Sequence, residues 1–453
     1  MFERRRGGTE KNLTKGSVFR TFAAFSLPFL LSYFLQTFYG LTDLFIIGRF
    51  CGVESTTAVS IGSQVMHMVV VMTVGLAMGS TVLIGRAIGA EKHEEASNAI
   101  GNTVTLFMGL SVAAACVLVL LARPITSAMS TPPQAVEGLV SYLTICFIGI
   151  PFITAYNIIS SVFRGMGDSK SPMYFVAIAC AANVSLDLLF IGALKMGPSG
   201  AALGTVLSQT ISVILSILII RRRKTGLRLR REYFKPRKDI LAGLIKIGLP
   251  IAIQDGLIQI AFIIITVIAN QRGLNDAAAV GIVEKIISFL FLVPSTMLSS
   301  VSAMAAQNVG AEKHDRARKT LGYAVLLSVS FGLLSVLVMQ LAAESFVGLF
   351  SSDGTVVRMG GQYMRGYVFD CVFAGIHFCF SGYFCAYGKA LLSFLHNIIS
   401  IVFARIPLAY LASKGFPDTL FPMGLATATG SFVSVVVCVC LFIWMERKRK
   451  RER

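Results

Sequence analysis

The sequence contains few charged residues. Asp, Glu, Lys and Arg together make up 14% of its 453 residues, whereas hydrophobic residues make up 55%. A soluble domain usually has about 25% charged residues. The composition therefore excludes a soluble globular protein and predicts a chain embedded in a lipid bilayer.

The motifs of several common enzyme classes are also absent. There is no GxxxxGK phosphate loop followed by Ser or Thr, no HExxH and no GxSxG, so ATP hydrolysis through a phosphate loop is excluded. The nine cysteines lie almost entirely in apolar runs and none forms a CxxC pair, which indicates packing rather than a metal site or a disulfide framework. We expect a protein that is not an enzyme and that has no cofactor and no resident metal.

Twelve apolar segments are long enough to cross a membrane, because a spanning helix needs about 20 mostly apolar residues. We number these segments as spans 1 to 12. The sequence places them at residues 19–47, 56–85, 97–121, 136–161, 172–193, 199–220, 240–269, 277–305, 320–341, 358–387, 390–412 and 421–445. It therefore predicts an all-α integral membrane protein with twelve transmembrane helices.

Basic residues are concentrated in the loops that follow even-numbered spans and in the two tails. Cytoplasmic loops carry an excess of Lys and Arg, so the pattern places both termini in the cytoplasm of a multi-pass protein of the cytoplasmic (inner) membrane. The same distribution explains the net charge of +18 through topology, and nucleic acid is not an expected partner. The dense block at 221–238 is interpreted as a topology determinant and solvated linker, with anionic-lipid binding as the alternative.

The five residues Gly-Ala-Glu-Lys-His occur at 89–93 and again at 310–314, and Gly167 recurs as Gly388 at the same offset of 221 positions. A repeat of this length predicts two structural repeats. Each half has six spans and starts on the same side, so the two repeats are parallel and related by an axis along the membrane normal. The predicted division is a six-helix bundle at 1–220, a basic cytoplasmic linker at 221–239 and a second six-helix bundle at 240–453.

Several ionisable residues fall inside the spans. Each costs at least about 2.5–3.5 kcal/mol at the bilayer centre, and such residues usually serve a function. Acidic groups predominate, so we expect them to attract cations, either coupling ions or substrates. The acidic candidates are Asp43, Asp187, Asp255, Glu284 and Asp370, and the basic residues are Lys285, Arg365 and Arg405.

Helical spacing adds polar neighbours in the first half. Asn183 and Asp187 are four residues apart in span 5 and share one face of the helix. Gln36, Tyr39 and Asp43 form a polar stripe on span 1 at helical spacing. We expect Asn183, Asp187 and Asp43 to attract a cation, either a coupling ion or a substrate, and we assign Gln36 and Tyr39 to substrate binding. Pro28, earlier in span 1, is expected to bend that helix.

In the second half, Asp255 and Gln259 lie four residues apart on span 7. We assign both to substrate binding, together with Glu284 of span 8 and Asp370 of span 10. Arg405 of span 11 is a candidate counter-ion for one of these acids.

The chain contains a series of short segments in a fixed order, at Leu27-Pro28, Thr42-Asp43, Ile47-Gly48, 85–91, 164–172, Asn183, Asp187 and 200–205. In these segments it resembles the multidrug and toxic compound extrusion family, over nearly its whole length. No single motif decides the resemblance, but the order and doubling of the motifs make it specific. It looks closest to a bacterial branch whose members have a Glu in span 8.

The resemblance implies secondary active efflux of cationic, amphipathic drugs in exchange for protons or sodium, by alternating access of two rocking bundles. It implies a cation site in the first half made of Asp43, Asn183, Asp187 and Thr205, with Asn157 as a neighbour. Sodium, if it is the coupling ion, is expected at Asp43, Asn183 and Asp187. The coupling ion, proton or sodium, stays open at this point.

The resemblance is less complete in the second half. Glu284 matches an acidic residue that some members use, whereas Asp370 lies about one helical turn from the family's span 10 acid and Ala374 lies nearer that position. The repeat offset carries Asn183 to Ala404 or Arg405, so the acidic pair has no twin and the halves are expected to do different jobs.

Two alternatives to drug efflux stay open. One is a flippase for lipid-linked precursors from the related superfamily, and the other is an integral-membrane enzyme. The predominance of acidic groups within the spans and the number of spans favour the efflux transporter. We expect a monomer that interacts with small cationic drugs and the lipid bilayer.

Overall fold

The computed structural model describes residues 12–129, 131–222 and 230–451. Within these ranges the chain is helical and contains no strand. Ten helices are long and apolar enough to cross a membrane, and two bent helix pairs bring the number to twelve. The ten helices are spans 1 to 3, 5 to 9, 11 and 12, at Val18–Phe50, Val53–Gly89, His93–Leu120, Lys170–Ala193, Gly197–Ile220, Lys238–Asn270, Leu274–Gly310, His314–Gly348, Ala390–Gly415 and Phe421–Arg451. The predicted all-α membrane fold is confirmed.

Spans 4 and 10 are each broken into two helices. Span 4 consists of Pro133–Ile148 and Ile150–Met166, which meet at 49°. Gly149 lies at this break, and Pro151 follows in the first turn of the second helix, where a proline is tolerated. Span 10 consists of Gly354–Tyr367 and Asp370–Ala386, which meet at 40°. The two breaks occupy equivalent positions in the two halves of the sequence.

Spans 5 and 11 each contain a π-helical segment. In span 5 this segment is Leu188–Ala193, directly after Asp187. In span 11 it is Ile401–Arg405, which ends on Arg405. Short π segments inside α-helices occur frequently at functional sites, and both segments here adjoin a charged residue that the sequence singled out.

The repeated five-residue segments form the same turn. Glu91 and Glu312 have φ values of 60° and 58°. The amide of Lys92 donates to the carbonyl of Ala87 over 2.9 Å, as the repeat counterpart Lys313 does to Asn308 over 2.8 Å. These segments therefore end one helix and begin the next, so the sequence repeat is also a repeat of backbone geometry.

A second pair of turns follows the same register. Gly167 and Gly388 have φ values of 86° and 68°, a region that glycine adopts without steric cost. Each residue ends the helix before it, since its amide donates to the carbonyl three residues earlier. The repeat offset read from the sequence therefore carries over to backbone conformation.

The chain divides into two compact units. The first contains Ala24–Gly248 together with the residues before Thr14, and the second contains Thr14–Ala23 and Leu249–Arg453. Each unit has its own apolar core, which includes Tyr142 and Phe147 in the first and Tyr363 and Tyr367 in the second. The predicted boundaries at 220 and 240 stay a prediction. Much of the basic block at 221–238 lies outside the described residues.

Large apolar side chains are exposed along the spans. Leu120, Leu341, Phe403 and Phe45 are between 71% and 81% exposed. A water-soluble protein rarely exposes contiguous apolar surface on this scale, whereas the hydrocarbon core of a bilayer accommodates it. The predicted multi-pass membrane protein is confirmed.

Candidate ion and substrate sites

Two buried carboxyl groups lie side by side in the first unit. Asp43 of span 1 and Asp187 of span 5 are 7% and 0% exposed, and their side chains interact. Thr205 of span 6 donates a hydrogen bond from Oγ1 to Asp43 Oδ2 over 3.3 Å. Asn183, which is 1% exposed, lies beside Asp43. The structure thus gathers four predicted ion-coupling residues from three spans.

Several buried polar atoms of this group have no hydrogen-bond partner within the described residues. They are Oδ1 of Asp43, both carboxylate oxygens of Asp187 and both amide atoms of Asn183. Buried polar atoms are nearly always satisfied in folded proteins, and two neighbouring carboxylates repel each other unless a proton or a cation compensates their charge. Hard cations prefer oxygen ligands of this kind. The arrangement is therefore suited to take up a proton or a sodium ion.

Local structure explains how span 6 reaches this pair. Gly204 faces Asp187 so closely that a methyl group at that position would collide with the carboxylate oxygen Oδ1. The absence of a side chain at Gly204 lets span 6 approach span 5, and Thr205 then reaches Asp43. The sequence had matched Gly204 within a family segment, but nothing in the sequence alone told that it faces Asp187.

We expect Gly204→Ala to abolish ion-driven transport, because the added methyl group displaces the Asp187 carboxylate. The matched control is Gly109→Ala in span 3, where no atom lies within 4 Å of the added carbon. Transport by both variants is measured in proteoliposomes, with circular dichroism as the check on folding. Full transport by a folded Gly204→Ala protein would show that this close approach is not needed.

The polar stripe of span 1 continues from the acidic pair. The hydroxyl of Tyr39 lies near Gln209 and Asp43. Further along, Gln36 Nε2 donates to the hydroxyl oxygen of Tyr156 over 3.3 Å. Both predicted substrate residues of span 1 therefore face the interior of the first unit.

The sequence reasoning missed two partners of this stripe, Gln209 and Tyr156. Gln209 follows Thr205 by four residues, so the two share a helix face, and this spacing was the available signal. Tyr156 precedes the predicted Asn157 by one residue. No sequence pattern marked Tyr156 as a site residue, since aromatic residues in membrane helices are usually packing residues.

Asn157 lies apart from the acidic pair. Its Nδ2 donates to the carbonyl oxygen of Ile153 over 2.8 Å. Its side chain lines a cavity of about 20 Å³ together with Gln36 and Tyr156. The structure therefore places Asn157 beside a predicted substrate residue, and its role in ion coupling stays a prediction.

Asp370 and Arg405 form a buried ion pair in the second unit. They are 0% and 7% exposed, and Arg405 Nη2 donates to Asp370 Oδ2. The Arg405 guanidinium also lies over the ring of Phe262 at 5.7 Å. The interpretation of Arg405 as a counter-ion is confirmed. The Asp370 carboxylate is compensated inside the protein, so its assignment to substrate binding stays an untested prediction.

Glu284 is placed differently. Thr266 Oγ1 donates to Glu284 Oε2 over 3.2 Å, and Arg405 lies near enough for the two charges to interact. The next residue, Lys285, is exposed, as expected for adjacent positions on a helix. Within the described residues Glu284 makes no ion pair, so it is the more available acid for a cationic ligand.

The surroundings of these charges contain further unsatisfied atoms. Within the part of the chain that the structure describes, the hydroxyls of Tyr363 and Tyr367, Oε1 of Glu284, Oδ1 of Asp370 and Nε of Arg405 have no hydrogen-bond partner. The two tyrosines line this cluster from the first helix of span 10. Neither Tyr363 nor Tyr367 was predicted from the sequence as a site residue.

Asp255 lies elsewhere in the second unit. It is half-buried and lies near Gln254 and Cys385. Cys385 follows Asp370 by fifteen residues in one helix, which is about 22 Å along its axis. The structure therefore does not bring Asp255 and Asp370 together. Gln259, also half-buried, lies one turn further along span 7.

Comparison with known families decides the classification. The model of the family described as MatE matches residues 28–189 and matches again at residues 250–411. This chain belongs to the MatE family. The two matches cover most of both halves and confirm the internal repeat.

Curated relatives of this MatE protein are named as transporters. The chain is 27% identical over 407 residues to the "Probable multidrug resistance protein YoeA" of Bacillus subtilis, with 88% of each chain covered. It is 23% identical over 380 residues to the "Multidrug export protein MepA" of Staphylococcus aureus, with 83% of each covered. The family consists of multidrug efflux transporters rather than enzymes. The alternative of an integral-membrane enzyme is therefore excluded.

A solved structure shows the same fold. A MOP superfamily transporter from Pyrococcus furiosus superposes with a TM-score of 0.90 at 22% identity, with 98% of both chains covered. Reversed polarity of that protein's binding pocket is described as suggesting a different function. Similarity at this level shows the MatE fold alone, so the substrate must be argued from the residues of the site.

The two halves of this MatE protein differ at the acidic pair. The two matched stretches are offset by 222 positions, from 28 to 250. At that offset Arg405 takes the place of Asn183, and Ala409 takes the place of Asp187. The second half therefore has a positively charged arginine side chain in the region where the first half has an amide and a carboxylate. Among the described residues no cluster of three or more His, Cys, Asp or Glu suits a metal ion.

Proposed function

We propose that this protein exports cationic, amphipathic drugs across the cytoplasmic membrane in exchange for protons or sodium, by alternating access. The observation that carries the proposal is the buried pair of Asp43 and Asp187, which has unsatisfied oxygens and no basic partner in the described residues. Such a pair changes its charge when it takes up or releases a cation. Drug efflux by relatives supports the same conclusion.

In this proposal the first half couples to the ion. Asp187 and Asp43 take up the proton or sodium ion, with Asn183 and Thr205 as neighbouring oxygen ligands. Uptake removes the repulsion between the carboxylates and changes how span 1 packs. Pro28 is buried within span 1, and because its ring removes one backbone hydrogen bond, we assign it the hinge at which that span bends.

The substrate binds through acidic and aromatic groups. Glu284 supplies an uncompensated carboxylate in the second half, and Gln36 and Tyr39 supply polar contacts in the first. A lipid-linked precursor carries phosphates that these carboxylates repel, so the flippase alternative is disfavoured. We place both termini in the cytoplasm on the basis of the loop charges.

The energetics depend on stoichiometry. A tenfold proton gradient supplies about 1.4 kcal/mol per proton, which sustains a tenfold gradient of a drug exchanged one for one. Exchange of one proton for one monovalent cation moves no net charge. Exchange of two protons for one monovalent drug moves one net charge. The membrane potential then adds about 2.3 kcal/mol per charge at 100 mV to the driving force.

The test uses purified protein in proteoliposomes with ethidium as the fluorescent cation. Ethidium movement is measured under a pH gradient without sodium, under a sodium gradient at constant pH, and under a membrane potential alone. We expect one of the two ion gradients to drive transport, and a response to the potential would indicate more than one ion per drug. Transport that ignores both ion gradients would overturn the proposal.

A further inference from the structure

A buried arginine in the first unit has no protein counter-ion among the described residues. Arg164 lies in the last turn of the helix Ile150–Met166 and is 7% exposed. Within the described residues its guanidinium makes no ion pair and donates no hydrogen bond. It lies over the face of the Phe29 ring at 5.8 Å and close enough to Tyr156 for an electrostatic interaction. An uncompensated cation is costly to bury. An anion bound beside Arg164 would therefore stabilise the folded protein.

The acid that is closest in sequence does not compensate it. Asp168 follows Arg164 by four residues, but its Oδ1 accepts from the amides of Lys170 and Ser171, and its Oδ2 accepts from the Ser171 hydroxyl over 2.6 Å. Asp168 therefore caps the start of span 5. The partner of Arg164 must come from outside the described protein groups.

Arg164 lines a small cavity of mixed polar and apolar surface. The cavity has a volume of about 20 Å³ and lies between span 1, just after Pro28, and the second helix of span 4. No carboxylate lines it, and Arg164 is its one charged lining residue in the described chain. Its polar lining residues besides Arg164 are Ser32, Tyr33, Gln36, Tyr156, Asn157 and Ser160.

The charge and the size of this cavity restrict the kind of ligand that it can bind. Ser32 and Asn157 already donate to backbone carbonyl oxygens, whereas the Ser160 hydroxyl has no hydrogen-bond partner in the described chain. A guanidinium adds five donors and a fixed positive charge. A cavity needs about 10–15 Å³ to hold one water-sized particle, so this one has room for a single monatomic ion. A cation is repelled by Arg164.

We propose that this cavity binds one small inorganic anion of halide size, held by the Arg164 guanidinium and the unpartnered Ser160 hydroxyl. The anion compensates the buried guanidinium and links span 1 to span 4 next to Pro28. The site is separate from the cation pair, since Gln36 and Asp43 are seven residues apart on span 1, about 10 Å along the helix.

The first experiment measures binding without transport, so its outcome is independent of the proposed efflux. Thermal unfolding of the purified, detergent-solubilised full-length protein is followed in sodium chloride and in sodium gluconate at equal ionic strength, because gluconate is too large for the cavity. A ligand that binds only the folded state raises its melting temperature. We expect a saturable rise with chloride, which Arg164→Gln abolishes and the exposed control Arg123→Gln retains.

The outcomes decide the proposal. Equal melting temperatures of the unmodified protein in both salts would overturn it, and so would a chloride-dependent rise that persists undiminished in Arg164→Gln. Should Arg164→Gln fail to fold, crystals of the unmodified protein grown in bromide give a second answer. An anomalous peak beside the Arg164 guanidinium is expected, and ordered density for this region without such a peak overturns the site.

Discussion

Asp187→Asn is expected to reduce gradient-driven drug transport to the level of protein-free liposomes. Asn has nearly the shape of Asp, so the close approach of Gly204 is preserved. It carries no charge, however, and cannot take up a proton or compensate a sodium ion. Asp43 is left as a single carboxylate with Thr205 and Asn183, and the charge change that drives the cycle is lost.

The measurement is ethidium transport in proteoliposomes under the gradient that drives the unmodified protein. Glu137→Gln is the matched control, because Glu137 is 77% exposed in an ion pair with Arg123 and exposed pairs contribute little. Equal protein incorporation is checked for all samples. Undiminished transport by Asp187→Asn would show that Asp187 does not take part in ion coupling. Asp43 alone would then have to take up the coupling ion.

Arg405→Gln is expected to destabilise the second unit strongly. The change leaves the buried carboxylate of Asp370 without its partner, and breaking a buried ion pair on one side costs about 3–5 kcal/mol. Arg405 also lies over Phe262 at 5.7 Å, so packing is lost as well. The apparent melting temperature in detergent is expected to fall accordingly.

The double variant Arg405→Gln with Asp370→Asn separates charge from packing. It removes both charges together, and we expect most of the lost stability to return, because uncharged replacements of buried pairs are often nearly neutral. The control is Arg365→Gln, since Arg365 and Glu344 are 33% and 47% exposed and such a pair contributes about 0–1 kcal/mol. A double variant as unstable as Arg405→Gln alone would mean that packing, rather than the charge pair, holds this region.

Much of the fold was predictable because it depends on local sequence. Hydropathy and length locate the twelve spans, since each helix satisfies its own backbone in the bilayer. The repeated loops could also be predicted from the sequence, and Glu91 and Glu312 in them have φ values within a few degrees of each other. The breaks within spans 4 and 10 were not predicted. Span 4 contains Gly149 and Pro151 as signals, but span 10 has no proline or glycine at Val368-Phe369.

The candidate site was predictable only in part. Helical period placed Asn183 and Asp187 on one face because their spacing lies within a single helix. Gln209 was missed although it follows Thr205 by one turn. Arg164 was matched as part of a family segment, but no sequence pattern predicted that it would be buried without a carboxylate partner in the described chain.

By itself the sequence determined the number of spans, the two repeats, their turns and the acidic character of the groups within the membrane. The tertiary structure alone decided which of these groups meet. Thr205 reaches Asp43 across 162 positions, Arg405 pairs with Asp370 across 35, and Gly204 admits the Asp187 carboxylate. The reason is physical: helical periodicity fixes the face on which a side chain lies, whereas its partner depends on which other helix packs against that face.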